Sequence, residues 1–279
     1  PLNWGEETYW IAWSNEAHPS PYEKDGGLSG AGSLLRWLLS KASIPVADNR
    51  IAGVQAWLDQ RFQLGGYVDE SVSPWELLRD EILPLLPVAL VSGPDGLYPV
   101  IWKLDAVESD AVQHFTEGRG CWRSGPISYD TPRSELVNAV TVEYAPDGDT
   151  GDPNRVLTIT PEPTEGDPQS WATDHARVSG ARYGLQATTL STSWVWHDPT
   201  AAQIATWLIR VNGFASRVLT LDVAPEHAWI RPGDVVTYSC PALSMTRKIG
   251  IVRGWAWNGA GAQLEVLLVE DPVRDRRVS

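Results

Sequence analysis

The spacing of apolar positions changes once along this chain. Between residues 26 and 83 they recur every three or four positions, the period of one helix face. Leu34, Leu35, Leu38 and Leu39 form one such set, opened by Gly26-Gly27 with Ser29 or Ser33 and closed before Pro45. Ile51, Val54, Leu58 and Phe62 form a second, with Asp48 or Asn49 as its cap and Gly65-Gly66 as its stop. The start of a third helix is written in Ser73-Pro74-Trp75-Glu76. Ser73 is a capping residue, Pro74 suits the first helical position because its missing N–H is not needed there, and Glu76 is placed to reach back to the cap amide. Pro84 and Pro87 end it.

Beyond Pro87 the period falls to two. Val88-Ala89-Leu90-Val91-Ser92 and residues 97–103 flank Gly93-Pro94-Asp95-Gly96 and predict a β-hairpin. Residues 26–104 therefore read as a small α+β unit. Residues 105–279 read as mostly β. Strands are predicted at 138–145, 155–160, 188–196, 218–223, 234–239, 248–257 and 263–269, the last two joined around Asn258-Gly259. Two helices interrupt them. One covers 170–183. The other opens at Asp198-Pro199-Thr200, carries Ile204, Trp207, Leu208 and Val211 on one stripe, and stops at Asn212-Gly213. Residues 1–25 hold a short aromatic strand, Tyr9-Trp10-Ile11-Ala12-Trp13, and a Pro-rich polar loop. The expected class is α+β, mainly β, in three stretches: 1–25, 26–104 and 105–279.

Composition changes this picture in two places. The 279 residues include 15 Trp, and the net charge is -13. Indoles fill thin sheet cores and also dominate contact surfaces. The negative charge argues against nucleic-acid binding, which needs Lys and Arg on the phosphates, yet an acidic wall lets DNA slide past. Cys121 and Cys240 show no metal or redox spacing and read as free thiols of a protein made in a reducing cytoplasm. Residues 1–13 lack the basic start and apolar core of a signal peptide, and no run reaches the roughly 20 apolar residues of a membrane span. Pro1 fits either loss of an initiator Met or a fragment.

No catalytic, cofactor or metal site is predicted. His18, His114, His175, His197 and His227 are scattered, none with a second ligand at a spacing that one helix or strand would bring together. Asp147, Asp149 and Asp152 hint at a calcium loop, but the twelve-residue pattern and its closing Glu are missing, so a polar hairpin loop is the better reading. No Ser sits in a Gly-x-Ser-x-Gly elbow, and Gly26-Gly27 with Gly30 and Gly32 lacks the lysine of a phosphate loop. Pairs such as Glu162/Glu165 or Asp80/Glu81 meet the minimum for glycoside hydrolysis, but among 35 acidic residues such pairs carry almost no information.

The order of motifs resembles a known family. Trp196-His197-Asp198-Pro199-Thr200-Ala201-Ala202 opens a helix, Val218-Leu219-Thr220-Leu221-Asp222-Val223 follows as a strand, and Trp229-Ile230-Arg231-Pro232-Gly233-Asp234-Val235-Val236 leads into a last hairpin. Upstream stand Asn138-Ala139-Val140-Thr141-Val142-Glu143-Tyr144, Gly65-Gly66-Tyr67-Val68-Asp69, Pro84-Leu85-Leu86-Pro87 and Gly96-Leu97-Tyr98-Pro99. Over residues 26–270 this is similar to the baseplate hub and tail-tip proteins of tailed bacteriophages and gene transfer agents. The resemblance implies a β-barrel-type hub domain with a small inserted α+β unit. It also implies a non-enzymatic homotrimeric ring at the end of the tail tube, located in the virion tail and made in the host cytoplasm. Its partners would be tube, distal tail and tip or fibre proteins, with DNA in transit. Family members carry a complete barrel before the inserted unit, for which residues 1–25 are too short. Either a separate chain supplies it or the chain is a shortened version. A Trp-rich carbohydrate-binding or cell-wall hydrolytic protein is the alternative.

Overall fold

The computed structural model describes residues 9–11, 30–46, 48–68, 72–93, 96–129, 135–147, 150–259, 261–269 and 272–273. The loop expected at 14–25, His18, and the turn residues Pro94 and Asp95 lie outside them. The fold is mixed α/β and mainly β, and its largest element is a curled half-barrel sheet.

β1 (Tyr9–Ile11) pairs antiparallel with β2 (Gly66–Val68). Between them lie α1 (Ala31–Lys41) and α2 (Asp48–Asp59). Gly30, not a serine, is the N-cap of α1, and no side chain caps it. Ser33 lies inside the helix, where its backbone N–H and hydroxyl both donate to the Asp59 carboxylate of α2, at 2.9 and 2.8 Å. The two helices touch at Gly32, where a Cβ would lie 2.3 Å from the Gln55 carbonyl oxygen, so only glycine permits this approach. Leu34, Leu35, Leu38, Leu39, Ile51, Leu58 and Phe62 are buried as the period predicts.

α3 spans only Pro74–Leu77. It widens into a π-helical turn at Leu78–Ile82 and tightens at Leu83–Leu85, where Pro84 cannot supply an N–H. Ser73 is its N-cap residue, but its side chain makes no capping bond. β3 (Val88–Gly93) and β4 (Gly96–Ile101) form the expected hairpin.

The rest of the chain builds two sheets. β5 (Gln113–Thr116), β6 (Cys121–Arg123) and β7 (Ser128–Tyr129) are short strands that the apolar pattern did not announce. β8 (Ala139–Pro146) and β9 (Pro153–Ile159) pair antiparallel, flanked by β10 (Ser170–Trp171) and β11 (Ala187–Ser191) in the order β10-β9-β8-β11. α4 (Asp174–Tyr183) begins later than the sequence implied, because the Thr173 hydroxyl accepts from Ala176 N and fixes its start. α5 (Asp198–Asn212) packs on β8 and β9. Then come β12 (Arg217–Val223), β13 (Val235–Cys240), β14 (Met245–Trp257) and β15 (Ala262–Leu268).

These last four strands, with β5, β6 and β7, make a seven-stranded sheet along the path β5-β13-β14-β15-β12-β6, with β7 also on β12. β5 and β6 sit at opposite ends of that path yet are consecutive in the chain. Only residues 117–120 separate them, a reach of at most about 18 Å, so the sheet must curl until its ends approach. The connecting turn is closed by Gly118 N–H to Cys121 O and Arg119 N–H to Thr116 O, at 2.9 and 3.0 Å. The inner face follows the two-residue period: Leu219, Leu221 and Val223 on β12; Val236, Tyr238 and Cys240 on β13; Ala262, Leu264, Val266 and Leu268 on β15.

A second core lies outside the half-barrel. It joins α1, α2 and α3 to Val140, Val142, Tyr144, Leu157 and Ile159 of the four-stranded sheet and to α5, and so runs across the boundary expected at residue 104. The stripe of α5 differs from expectation. Thr200, Ala201, Ile204, Ala205 and Ile209 are buried, while Trp207, Leu208 and Val211 are only half-buried. The helix is rotated so that two alanines face the sheet, which allows close approach. The Trp207 indole N–H is buried without a hydrogen-bond partner among the described residues.

One buried side chain ties the two cores together. Asn138, fully buried, donates to the Gly184 carbonyl (2.7 Å) and to the Ser179 hydroxyl (3.2 Å), and accepts from Gln186 N–H (2.8 Å). Ser179 in turn donates to the Gly213 carbonyl at the end of α5. The end of α4, the approach to β11 and the exit from α5 toward β12 are thus fixed by one amide.

Three outcomes are expected. Asn138→Ala removes the amide partner of the Gly184 carbonyl, the Gln186 N–H and the buried Ser179 hydroxyl, and costs about 2 kcal/mol in denaturant unfolding. Ile204→Ala costs about 3 kcal/mol, whereas Trp207→Phe, which deletes an unpaired N–H, stays within about 1 kcal/mol of wild type. The third concerns Asp198, at the start of α5. Its carboxylate accepts from the Tyr144 hydroxyl (2.9 Å) and Arg155 (2.6 Å). Partial burial raises its pKa, but these bonds outweigh it and hold the pKa below the usual carboxylate value. A depressed folded pKa stabilises above the unfolded value, near 3.8, and that contribution is lost as pH falls through the folded pKa. The side chain is 57% exposed, so screening limits Asp198→Asn to below about 1 kcal/mol at neutral pH. The mutant and wild-type melting curves should converge under acid.

Candidate functional site

The residues that carry potential chemistry are spread by the fold into structural roles. His114 lies between Thr237 and Thr116, its two ring nitrogens 2.8 and 3.2 Å from their hydroxyls. Burial, and then the positive charge of Arg247, lower its pKa. His175 packs edge-on near Phe214 and His227 near Phe115, with ring centroids 6.3 and 5.2 Å apart. His197 is the N-cap residue of α5. Asp147 accepts from Thr150 N–H within the β8–β9 loop, and its own N–H donates to the Asp152 carbonyl, which is hairpin-loop geometry. Asp80 pairs with Arg79, and Glu81 accepts from the Trp194 indole at 2.5 Å. Glu162 and Glu165 are exposed. Among the described residues, no group of three or more His, Cys, Asp or Glu converges as metal ligands. No described helix is long and apolar enough to cross a membrane.

The half-barrel carries an acid at its seam. Glu117, in the turn between β5 and β6, accepts from the Cys240 thiol at 2.5 Å, and this bond leads in lowering its pKa. Cys121, on the other side of the turn, is buried, and burial followed by the charge of Glu117 pushes its thiol up to about 12. Tyr238 is raised too, first by burial and then by Glu117. Its hydroxyl is enclosed near Glu117 without a hydrogen-bond partner among the described residues. The Cys121 thiol and the Tyr238 hydroxyl hold their protons, while Glu117 is held as the carboxylate. The arrangement links the two ends of the sheet.

The part of the molecule that is unusual is the open end of the half-barrel. β13 accompanies β14 only as far as Ile251. Beyond it, a register shift between Val252 and Gly254 turns the last residues of β14, which pair with β15 alone. Trp255 and Trp257 stand opposite Leu264 and Ala262, both buried, yet are 38% and 55% exposed themselves. Trp229, 50% exposed, lies in the turn leading to β13. The Arg231 guanidinium sits 5.4 Å from the Trp255 ring centroid and donates to the Ala228 and Ile230 carbonyls, so one side chain holds the turn and an indole together. On the outer face Trp122 on β6, 54% exposed, stands opposite Asp222. Asp222 in turn accepts from Asn258 and Gln263. Sequence reasoning counted the indoles but not their positions. The one available signal was Trp255-Ala256-Trp257, two large rings on the same side of a strand that ends in a turn.

No protein-family model matches the chain, and no curated protein matches it. Among solved structures it is similar to the tail protein of Neisseria meningitidis MC58, at 13% identity and a TM-score of 0.49, over 87% of this chain and 67% of that one. It is also similar to the 43 kDa tail protein of prophage MuSo2 from Shewanella oneidensis, at 12% identity and a TM-score of 0.48, over 86% and 66%. A third is the prophage tail protein gp18 of Listeria monocytogenes EGD-e, at 11% identity and a TM-score of 0.38, over 77% and 59%. The chain thus spans about two thirds of the length of the first two and less of the third.

Proposed function

We propose that this chain is a non-enzymatic structural subunit of the tail of a bacteriophage or related particle, placed at the hub or tip as part of a homotrimeric ring that contacts other tail proteins. The observation that carries the reading is the order of elements in the last third. Helix α5, strand β12, the Arg231-Pro232-Gly233-Asp234 turn, strand β13 and the β14–β15 hairpin follow one another and curl into a half-barrel. The sequence resemblance to hub proteins rests on that same order. Indoles on the open end of the half-barrel supply contact area of the kind that interface cores favour. The net charge of -13 suits a wall along which DNA passes without adhering.

A glycan-binding module is the second reading, favoured by one feature: Trp122 opposite Asp222, whose carboxylate is held by Gln263, an apolar ring face next to a planar polar group. Reconstruction of particles that contain the chain separates the two. Three copies around the axis at the tail end are expected, and absence of the chain from that end would overturn the tail reading. Indole fluorescence of the isolated protein, titrated with soluble oligosaccharides, should stay flat; a saturable change lost in Trp122→Ala would favour the module.

A further inference from the structure

β5 is an end strand of the half-barrel sheet, and few contacts hold it there. It pairs in parallel with β13 over four residues, Gln113 to Thr116 opposite Val236 to Ser239. One bond extends the ladder at each end, from Val112 N–H to the Val235 carbonyl (2.8 Å) and from Glu117 N–H to the Ser239 carbonyl (3.0 Å). Phe115 is the β5 side chain buried in the core, and Glu117 makes the seam contact to Cys240. In the middle of this short strand stands His114, half-buried and opposite Thr237.

Thr237 decides the hydrogen-bond roles around that ring. It is fully buried, and among the described residues its hydroxyl meets one acceptor, His114 Nδ1, at 2.8 Å. A buried hydroxyl with no acceptor is unfavourable, so the Thr237 O–H donates and Nδ1 carries no proton. The ring proton is therefore on Nε2, where the half-buried Thr116 hydroxyl accepts it at 3.2 Å. A second proton has only Nδ1 to go to. There it sets donor against donor, or leaves the Thr237 O–H without an acceptor. Among the described residues two charges act on the ring. Arg247 of β14 opposes a second proton, and Glu108, in the turn before β5, favours it less strongly. Arg247 is fixed in place by Glu108 at 2.5 Å and by its own N–H, which donates to the Ser239 hydroxyl at 2.9 Å. β13 and β5 themselves turn only the neutral Thr237 and Thr116 hydroxyls to the ring nitrogens.

We infer that His114 latches β5 onto β13 only while its ring is neutral, and that mild acid releases the strand together with the turn at residues 117–120. When β5 lifts, Nδ1 faces water and takes a proton freely. Release bares the edge of β13, the Phe115 ring and the Cys240 thiol. The ladders of β15 with β12 and with β14 are longer and stay in place. A histidine that the fold keeps neutral stabilises fully above its ordinary value of 6.5. Its contribution weakens as pH falls below that value, until the folded ring itself takes up the proton. The latch stands apart from the reading of the chain as a tail subunit, since it needs only the contacts within one copy.

Two measurements on the full chain test the latch. In NMR, the ring nitrogen shifts of His114, assigned from its own backbone resonances, should show the Nε2–H form at neutral pH and a titration midpoint below 6.5. Hydrogen exchange of the β5 amides, corrected for the intrinsic effect of pH, gives the frequency of opening. It should rise about tenfold at about one pH unit below 6.5, because each such unit favours the protonated open strand by one factor of ten. The β12 and β15 amides in the same sample should not change. An Asn side chain offers Thr237 an acceptor and does not titrate, so His114→Asn should keep β5 protected at neutral pH and lose the pH dependence. A proton on Nδ1 at neutral pH, or a midpoint at or above 6.5, would overturn the latch even if the variant failed to fold. So would wild-type β5 protection that ignores pH, or that falls equally in His114→Asn.

Discussion

A single buried amide decides how this chain turns from one core to the next. Asn138 bonds to the end of α4, to the residue before β11 and, through Ser179, to the end of α5. All three points are places where a regular element stops and leaves carbonyl or N–H groups without ladder partners. Burying such groups without a bond is costly, so the chain passes from the four-stranded sheet to the half-barrel by the route that satisfies them. The direction in which β12 sets out follows from that route. So does the half-barrel, since β12 is the strand on which β6, β7 and β15 all assemble.

The apolar period made the helices and long strands of this fold legible. β12, β13, β14 and β15 fall within a few residues of where alternation puts them, because each buries one face and exposes the other. The stripe of α5 was misread by one position. Ile204, Trp207, Leu208 and Val211 fit helical spacing as well as Ala201, Ile204, Ala205 and Ile209 do, and hydrophobicity favours the larger residues. Close approach to a sheet favours alanine, and that preference is invisible until the sheet is placed. Ser33 shows the same limit: its capping chemistry was legible, but its partner, Asp59, lies one helix away.

The short strands were not legible at all. β5, β6 and β7 are two to four residues long and mixed in polarity, too brief for a period to register. They nevertheless decide the curvature, because the four residues between β5 and β6 bring the ends of the sheet together. The surface was equally hidden. Fifteen indoles were countable, but that Trp255 and Trp257 face water depends on where β13 stops along β14, and that is a property of register rather than of composition.

The turn at residues 117–120 also sets a timetable for synthesis. β5 leaves the ribosome early, but its partner β13 and the partner of β6, β12, are encoded about a hundred residues later. At the elongation rates of living cells that interval is on the order of ten seconds. During it the core outside the half-barrel, complete by residue 209, is free to form, while the seam of the half-barrel has nothing to pair with. The chain is thus folded from its front, and the surface that gives it its open aromatic end is the last to be made.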